Sequence, residues 1–158
     1  MSNKLPTWTM LSAIGGDIVE VRPGYAKGIL PLTPTVMQPT RVFHAGAICT
    51  LADEVASAAI EGGPVDERYM RDKKFPYSVQ LSVNLLTNDP VGPLTAESKV
   101  IRAGRMTVVE TVVTTNSGET AALMRSTHMM VDLKKTGPHA KEALSASVGQ
   151  AHEKESHR

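Results

Sequence analysis

The hydrophobic and polar positions along the chain predict two strands, then one long helix, then more strands. Between residues 17 and 32, two apolar runs flank Pro23-Gly24, which is the composition of a hairpin turn. Residues 3–14 carry apolar side chains at roughly helical spacing, so they predict a short helix before this hairpin. Residues 33–43 hold two prolines and predict a loop.

The long helix is predicted to begin at Ala45 and to end near Ile60, where Gly62-Gly63-Pro64 stops it. One apolar stripe runs along it, as burial against a sheet requires. Its members are Ile48, Leu51, Ala52, Val55 and Ala59. Asp53 lies off this stripe and is surrounded by small side chains, namely Cys49, Thr50, Ala56 and Ser57. Another surface or a ligand can therefore come close to this side of the helix.

A polar loop at residues 65–74 precedes a series of strands. Val79, Leu81, Val83 and Leu85 alternate with Ser78, Gln80, Ser82 and Asn84, which predicts a strand with one apolar and one polar face. Further strands are predicted at residues 94–102, 106–115 and 120–133, joined by tight turns. This order indicates an α+β domain with one helix on one curved sheet. The open face and edges of such a sheet predict self-association.

Composition narrows the class of protein. Lys and Arg number 17 against 16 Asp and Glu, so the +1 net charge offers no broad field for nucleic acid or an anionic membrane. The single cysteine excludes an intrachain disulfide. No apolar run approaches membrane-spanning length and no secretory signal is evident, so a cytoplasmic protein is expected. Residues 134–158 hold almost no large apolar residue and predict a mobile tail after a single domain at residues 1–133.

The start of the long helix carries the candidate chemistry. His44 immediately precedes the helix, and the backbone N–H groups of Ala45 and Gly46 are among its unpaired donors. Together with the positive end of the helix dipole, such donors suit a carbonyl oxygen that gains negative charge during acyl transfer. The chain has no phosphate-binding glycine loop, no zinc-binding helix motif and no nucleophile elbow, so neither cofactor nor metal is expected.

These segments resemble a known family. His44-Ala-Gly followed by Leu51-Ala-Asp, with the Asp nine residues after the His, is similar to the His-Gly-Gly and Leu-Ala-Asp signature of the PaaI-type hotdog acyl-CoA thioesterases. Segments 77–86, 92–96, 103–105 and 118–122 resemble the remaining strands and turns of that family in order. The resemblance covers roughly residues 15–133 and implies a hotdog fold, in which a curved antiparallel sheet wraps around one long central helix.

The resemblance also implies roles for individual residues. Asp53 becomes the catalytic carboxylate, either as a general base on water or as a nucleophile, and the sequence leaves both open. Gln38 matches an amide that holds the thioester or the attacking water, and His44 matches the histidine that shapes the start of the helix. The Ala45 N–H matches the donor that polarises the thioester carbonyl, although the family usually has Gly there. Ser78 matches a hydroxyl that places water.

In the family the strand that carries this hydroxyl comes from a partner subunit, so the resemblance implies a homodimer or a homotetramer. Arg102 and Arg105 flank a hairpin that in relatives lies near the nucleotide end of coenzyme A, where they meet its phosphates. Gly46 and Glu54 complete the residues expected around the substrate. If the helix is rotated, Glu54 becomes the catalytic carboxylate instead. The spacing from His44 favours Asp53, and Glu54 is then expected at the surface.

The expected activity is hydrolysis of an aryl or fatty acyl-CoA to free acid and coenzyme A. The alternatives are a hotdog module that binds acyl-CoA or another hydrophobic ligand without turnover, and an acyl-thioester hydratase or dehydratase. Ala45 at the position of the family glycine is the feature that favours the binding module.

Overall fold

The computed structural model of the chain describes residues 10–63 and 74–135. Most of the predicted N-terminal helix, the polar loop at 65–74 up to its last residue, and the predicted tail beyond Lys135 lie outside the described residues.

The elements follow the predicted order closely. A short helix, α1, spans Met10–Ala13, and the long helix, α2, spans Ala45–Glu61, with a single 3-10 turn at Pro34–Val36 between them. The six strands are β1 (Asp17–Arg22), β2 (Tyr25–Leu30), β3 (Lys74–Leu85), β4 (Leu94–Arg102), β5 (Met106–Thr114) and β6 (Thr120–Asp132). The predicted hairpin at residues 17–32 and the three later strands are confirmed. Helix α2 ends at Gly62, which takes a left-handed conformation with φ of 68°.

All six strands form one antiparallel sheet in the order β1-β2-β4-β5-β6-β3. Strand β3 is the next described element after helix α2, yet it pairs with β6, the last of the described strands. It therefore forms one edge of the sheet, and β1 forms the other. The predicted α+β architecture, one curved sheet with one long helix, is confirmed.

Helix α2 packs on the sheet through the predicted apolar stripe, whose five members are all buried. The sheet accommodates the helix at Gly28 on β2: a Cβ placed there would lie 2.5 Å from Val55 Cγ2. Real Cβ atoms do not approach carbon so closely, so the missing side chain of Gly28 sets the distance between α2 and β2. This packing fixes the height of the helix above the sheet.

Strand β3 departs from the predicted alternation at one point. Ser78 pairs with His128 and Gln80 pairs with Thr127, so Val79 is an extra residue in a β-bulge. Leu81 then lies opposite Ser126, on the face of the sheet that carries Ser78 and His128. The prediction that Ser78 shares the polar face with Gln80, Ser82 and Asn84 is wrong, because the bulge turns Ser78 toward the helix.

Candidate active site

His44 caps the start of helix α2. Its backbone is extended (φ −67°, ψ 137°), and its Nδ1 accepts a hydrogen bond of 2.9 Å from the Gly46 N–H. The His44 carbonyl accepts the N–H groups of Ala47 and Ile48. Within residues 10–63 and 74–135, the Ala45 N–H has no acceptor. Of the two predicted donors for a substrate oxygen, the Gly46 N–H is therefore used inside the cap, and the Ala45 N–H remains available.

Ala45 fits its position without backbone strain. Among the described residues, the only non-glycine residue with positive φ is Arg41, in the loop before the helix. The backbone of Ala45 thus lies in a region open to any residue. The methyl group at the usual glycine position leaves the N–H in place and requires no unfavourable backbone angle.

The segment before the helix is held by Asn88, a residue from the loop after β3. Asn88 Nδ2 donates to the Phe43 carbonyl at 2.9 Å, and Asn88 Oδ1 accepts from the Phe43 N–H at 3.0 Å. The Phe43 side chain is fully buried, and the His44 N–H donates to the Val36 carbonyl. Sequence reasoning missed Asn88, since nothing local shows that its side chain pairs with a backbone unit far away in the chain.

Gln38 lies in a turn just before this segment. Its side-chain amide donates to Thr40 Oγ1 at 2.8 Å, and its backbone carbonyl accepts a hydrogen bond from the Arg41 N–H. No hydrogen bond among the described residues joins Gln38 to Asp53. Its predicted contact with the thioester or with water remains a prediction.

Asp53 and Ser78 meet directly. Ser78 Oγ donates to Asp53 Oδ1 at 2.7 Å, and no second hydrogen bond reaches the carboxylate from the described part of the chain. The two residues belong to the same chain, so this contact does not need a partner's strand, contrary to what the resemblance implied. The pairing leaves Asp53 Oδ2 as the oxygen that can act on a ligand.

Behind Ser78 lies His128 on β6, which sequence reasoning missed. His128 Nδ1 is 3.3 Å from Ser78 Oγ, and His128 Nε2 is 2.9 Å from Ser126 Oγ. The histidine is completely buried; this burial lowers its pKa, while the charge of Asp53 and a hydrogen bond to the Pro76 backbone act in the opposite direction. The signal available in the sequence was a histidine and a serine two residues apart, which places both on one face of a strand.

Two other groups near Asp53 have different surroundings. The Glu54 carboxylate accepts a hydrogen bond from the Met10 backbone and faces helix α1; burial and the adjacent Asp53 charge raise its pKa. Burial, helped by the Asp53 charge, also raises the pKa of the Cys49 thiol. The thiol is thus kept protonated and is a poor nucleophile. Of these three groups on helix α2, Asp53 is the one that accepts a hydrogen bond from Ser78.

Arg102 and Arg105 are both exposed at the turn between β4 and β5. The register places this turn near Ser78, because Thr107 pairs with His128 and His128 pairs with Ser78 across three neighbouring strands. The arginines therefore lie at the same end of the sheet as the Asp53 site, where they can meet an anion.

Within the described ranges, no group of three or more His, Cys, Asp or Glu side chains is arranged to hold a metal ion. In the same residues, no helix has the length and apolar character needed to cross a membrane.

Comparison with solved structures defines the class of fold. A variant thioesterase from Staphylococcus aureus Mu50 superposes with a TM-score of 0.69 at 20% identity, covering 77% of this chain and 98% of that one. The PaaI protein of the Escherichia coli phenylacetic acid degradation operon gives 0.66 at 20% identity, covering 77% and 83%. A Streptococcus mutans UA159 protein bound to acetyl CoA gives 0.62 at 19% identity, covering 73% and 88%. The chain has the hotdog fold.

Residues 41–122 match the thioesterase superfamily, so the chain belongs to that family. The match contains His44, Asp53 and Ser78, and it ends on β6 before His128. Among curated protein sequences, none matches the chain significantly.

Proposed function

We propose that this protein hydrolyses acyl-CoA thioesters to a free acid and coenzyme A, with Asp53 as the catalytic carboxylate. The observation that carries the proposal is the hydrogen bond from Ser78 to Asp53 Oδ1 in a member of the thioesterase superfamily. The bond fixes one carboxylate oxygen and leaves the other without a hydrogen bond from the described residues, so that it can act on a substrate or a water molecule. No cofactor is required for this reaction.

Two forms of the reaction fit this arrangement. As a general base, Asp53 Oδ2 takes a proton from water, and the water oxygen attacks the thioester carbon. The C–S bond then breaks, and the departing coenzyme A thiolate takes the proton from Asp53. As a nucleophile, Oδ2 attacks the carbon itself, the C–S bond breaks, and coenzyme A leaves as the thiolate, so that a mixed anhydride remains on Asp53. Water opens this anhydride in a second step, which gives the free acid, restores the Asp53 carboxylate and supplies the proton that converts the thiolate to the thiol. Ser78 stabilises the carboxylate charge in both forms.

The oxyanion donor in the proposal is the Ala45 N–H, whose hydrogen has no acceptor among the described residues. Ala45 and Asp53 are separated by eight residues of one helix, or about 12 Å along its axis. Direct attack requires contacts of roughly 3 Å at both the reacting carbon and its oxygen. That separation is too long for one thioester group, so we assign the donor to the Ala45 N–H of a second copy of the chain.

Strand β3 supports this assembly. It is an edge strand, and its side chains Val79 and Leu85 are each 49% exposed. An exposed apolar edge strand is a surface that pairs with another chain. A homodimer formed along β3 covers this edge and places Asp53 of one chain near the partner's helix.

Arg102 and Arg105 complete the proposed site as contacts for the phosphates of coenzyme A. Guanidinium groups bind phosphate through paired hydrogen bonds, and both side chains are exposed at the Ser78 end of the sheet. The structural neighbour bound to acetyl CoA shows that this fold holds such a ligand in that protein.

The proposal is tested by the release of free thiol from a panel of aryl and fatty acyl-CoAs. Asp53→Asn is expected to lower the rate by about 10²-fold to 10⁴-fold, because it removes the base or nucleophile. Glu54→Gln is the matched variant at the adjacent carboxylate, which faces α1, and its rate should stay within a few-fold of the wild type. If Glu54→Gln lost most of the rate and Asp53→Asn lost none, the catalytic carboxylate would be Glu54 and the proposal for Asp53 would be wrong.

Calorimetry with the same acyl-CoAs separates hydrolysis from binding alone. Tight binding without thiol release from any member of the panel would overturn the enzymatic proposal in favour of a ligand-binding module. Formation of a hydroxyacyl product from an enoyl-CoA, without thiol release, would indicate a hydratase instead.

A further inference from the structure

We propose that His128 is a positioning residue that holds the Ser78 hydroxyl toward Asp53, through a hydrogen-bond relay that runs from the buried Ser126 and His128 to Ser78 and Asp53. The inference rests on the proposed function and extends it to β6, beyond the residues that match the thioesterase superfamily.

The hydrogen bonds of the relay admit one direction. The ionised Asp53 carboxylate only accepts, so the Ser78 hydroxyl donates its proton to Oδ1. Toward His128, Ser78 can then only accept, which requires the proton of the neutral imidazole to be on Nδ1. Nε2 becomes the acceptor, and Ser126 donates to it. Every donor in the relay thus points toward the carboxylate.

The surroundings of the imidazole support this assignment. His128 and Ser126 are both 0% exposed, so water does not compete for their polar atoms. The imidazole also makes a hydrogen bond to the Pro76 backbone; since proline has no N–H, the histidine is the donor there as well. Because the neutral imidazole has a single N–H, the assigned tautomer requires Pro76 and Ser78 to share the Nδ1 proton.

The β-bulge makes the relay possible. In a regular strand, Ser78 would share a face with Gln80, but the extra residue Val79 places it opposite His128 on the face toward the helix. His128 then holds the oxygen of the hydroxyl while Asp53 takes its hydrogen. A hydroxyl held at both ends cannot rotate away from the carboxylate, so Asp53 Oδ2 keeps one orientation toward the substrate.

The test is a set of variants measured by thiol release. His128→Leu should lower kcat about tenfold with KM nearly unchanged, because the substrate does not touch His128 and only the orientation of Ser78 is lost. His128→Asn should recover most of the rate, since the Asn amide nitrogen overlies Nδ1 and can donate to Ser78. His128→Gln is the matched control: its amide reaches the place of Nε2, so its rate should stay low.

A double variant distinguishes positioning from general support of the fold. If His128 acts through Ser78, Ser78→Ala with His128→Leu should be no slower than the slower single variant. Losses that multiply, or an equal loss in His128→Asn and His128→Gln, would overturn the inference and leave thioester hydrolysis by Asp53 standing.

The tautomer is measured independently of activity. Nitrogen NMR of the imidazole at neutral pH should show the proton on Nδ1 of His128 in the wild-type protein. A proton on Nε2 overturns the relay even if the enzyme is active. If the wild-type protein releases no thiol from any acyl-CoA, the proposed function fails, whereas the nitrogen spectrum still decides the hydrogen-bond direction.

Discussion

Ser78 and Leu81 lie on the same face of β3 although three positions separate them, because Val79 forms a bulge between them. In an unbroken strand, residues three apart lie on opposite faces. This single extra residue turns a hydroxyl from the polar face of the sheet to the carboxylate of Asp53.

Deletion of Val79 should therefore impair the site. Without the extra residue, β3 can run in regular register with β6. If Gln80 and the residues that follow keep their pairing with β6, Ser78 turns to the opposite face of the sheet, away from Asp53. We expect thiol release to fall to the level of Ser78→Ala, about tenfold to a hundredfold below wild type, the equivalent of a hydrogen bond to a charged group. Val79→Ala keeps the bulge and should keep the rate. Equal rates for the deletion and Val79→Ala would show that the bulge has no role.

Ala45→Pro should remove the proposed oxyanion donor and leave the helix intact. Proline is well suited to the first helical position, and the extended backbone of His44 is the conformation favoured before proline. Only the N–H is lost, so kcat should fall by about 10²-fold to 10³-fold, with an unchanged thermal midpoint. Ala45→Gly keeps the N–H and should retain activity. A fully active Ala45→Pro protein would exclude this amide from the reaction.

Mixed dimers of Asp53→Asn and Ala45→Pro test whether one site uses two chains. After random re-association, half of the dimers carry one chain of each kind. If Asp53 and the donor come from different chains, one site in each mixed dimer is intact, and the mixture regains about a quarter of wild-type activity. If both groups come from one chain, every site is defective and the mixture stays inactive. Size-exclusion chromatography with light scattering verifies that dimers are present.

Gly28→Ala should destabilise the fold. The added Cβ would lie 2.5 Å from Val55 Cγ2, so either the helix or the Val55 side chain must move. Overpacking of this kind costs about 1–3 kcal/mol in the free energy of unfolding, measured by denaturant titration. Gly63→Ala is the control, since a Cβ there meets no atom within 4 Å. Similar stability of the two variants would mean that the helix does not depend on this close approach.

Stability should fall on acidification because of His128. Burial lowers its pKa below the usual value of 6.5, so the unfolded chain binds a proton at a higher pH than the folded chain does. The stabilisation is complete above about pH 6.5 and is lost as the pH falls toward the lowered pKa. His128→Asn lacks this titration, so its thermal midpoint should change less between pH 8 and pH 5 than that of the wild type. Parallel curves for the two proteins would contradict a neutral buried histidine.

The sequence predicted the elements well because each is encoded locally. The apolar stripe of α2, the turn at residues 23–24 and the glycines that end the helix are all visible in short windows. The family resemblance identified both Asp53 and Ser78 as site residues. The setting of their contact within one chain was not predicted, since no local pattern shows which strand will pair with β3.

The bulge and the relay could not be predicted for a related reason. Residues 78–85 alternate as a regular strand would, and the extra residue at Val79 is evident only from the pairing of β3 with β6. His128 stands in a strand dense in polar and methionine residues, where nothing marks it as buried. Both features depend on contacts between segments about 50 residues apart.

The pairing of Asn88 with Phe43 links the formation of the site to the completion of folding. The two residues are 45 positions apart, and Asn88 holds both backbone groups of the residue that precedes the helix cap. A chain in which α2 has formed but the loop after β3 has not docked lacks this anchor for His44 and Ala45. Formation of the proposed site should thus wait for the docking of Asn88 during refolding, and local unfolding of that segment should disrupt the site.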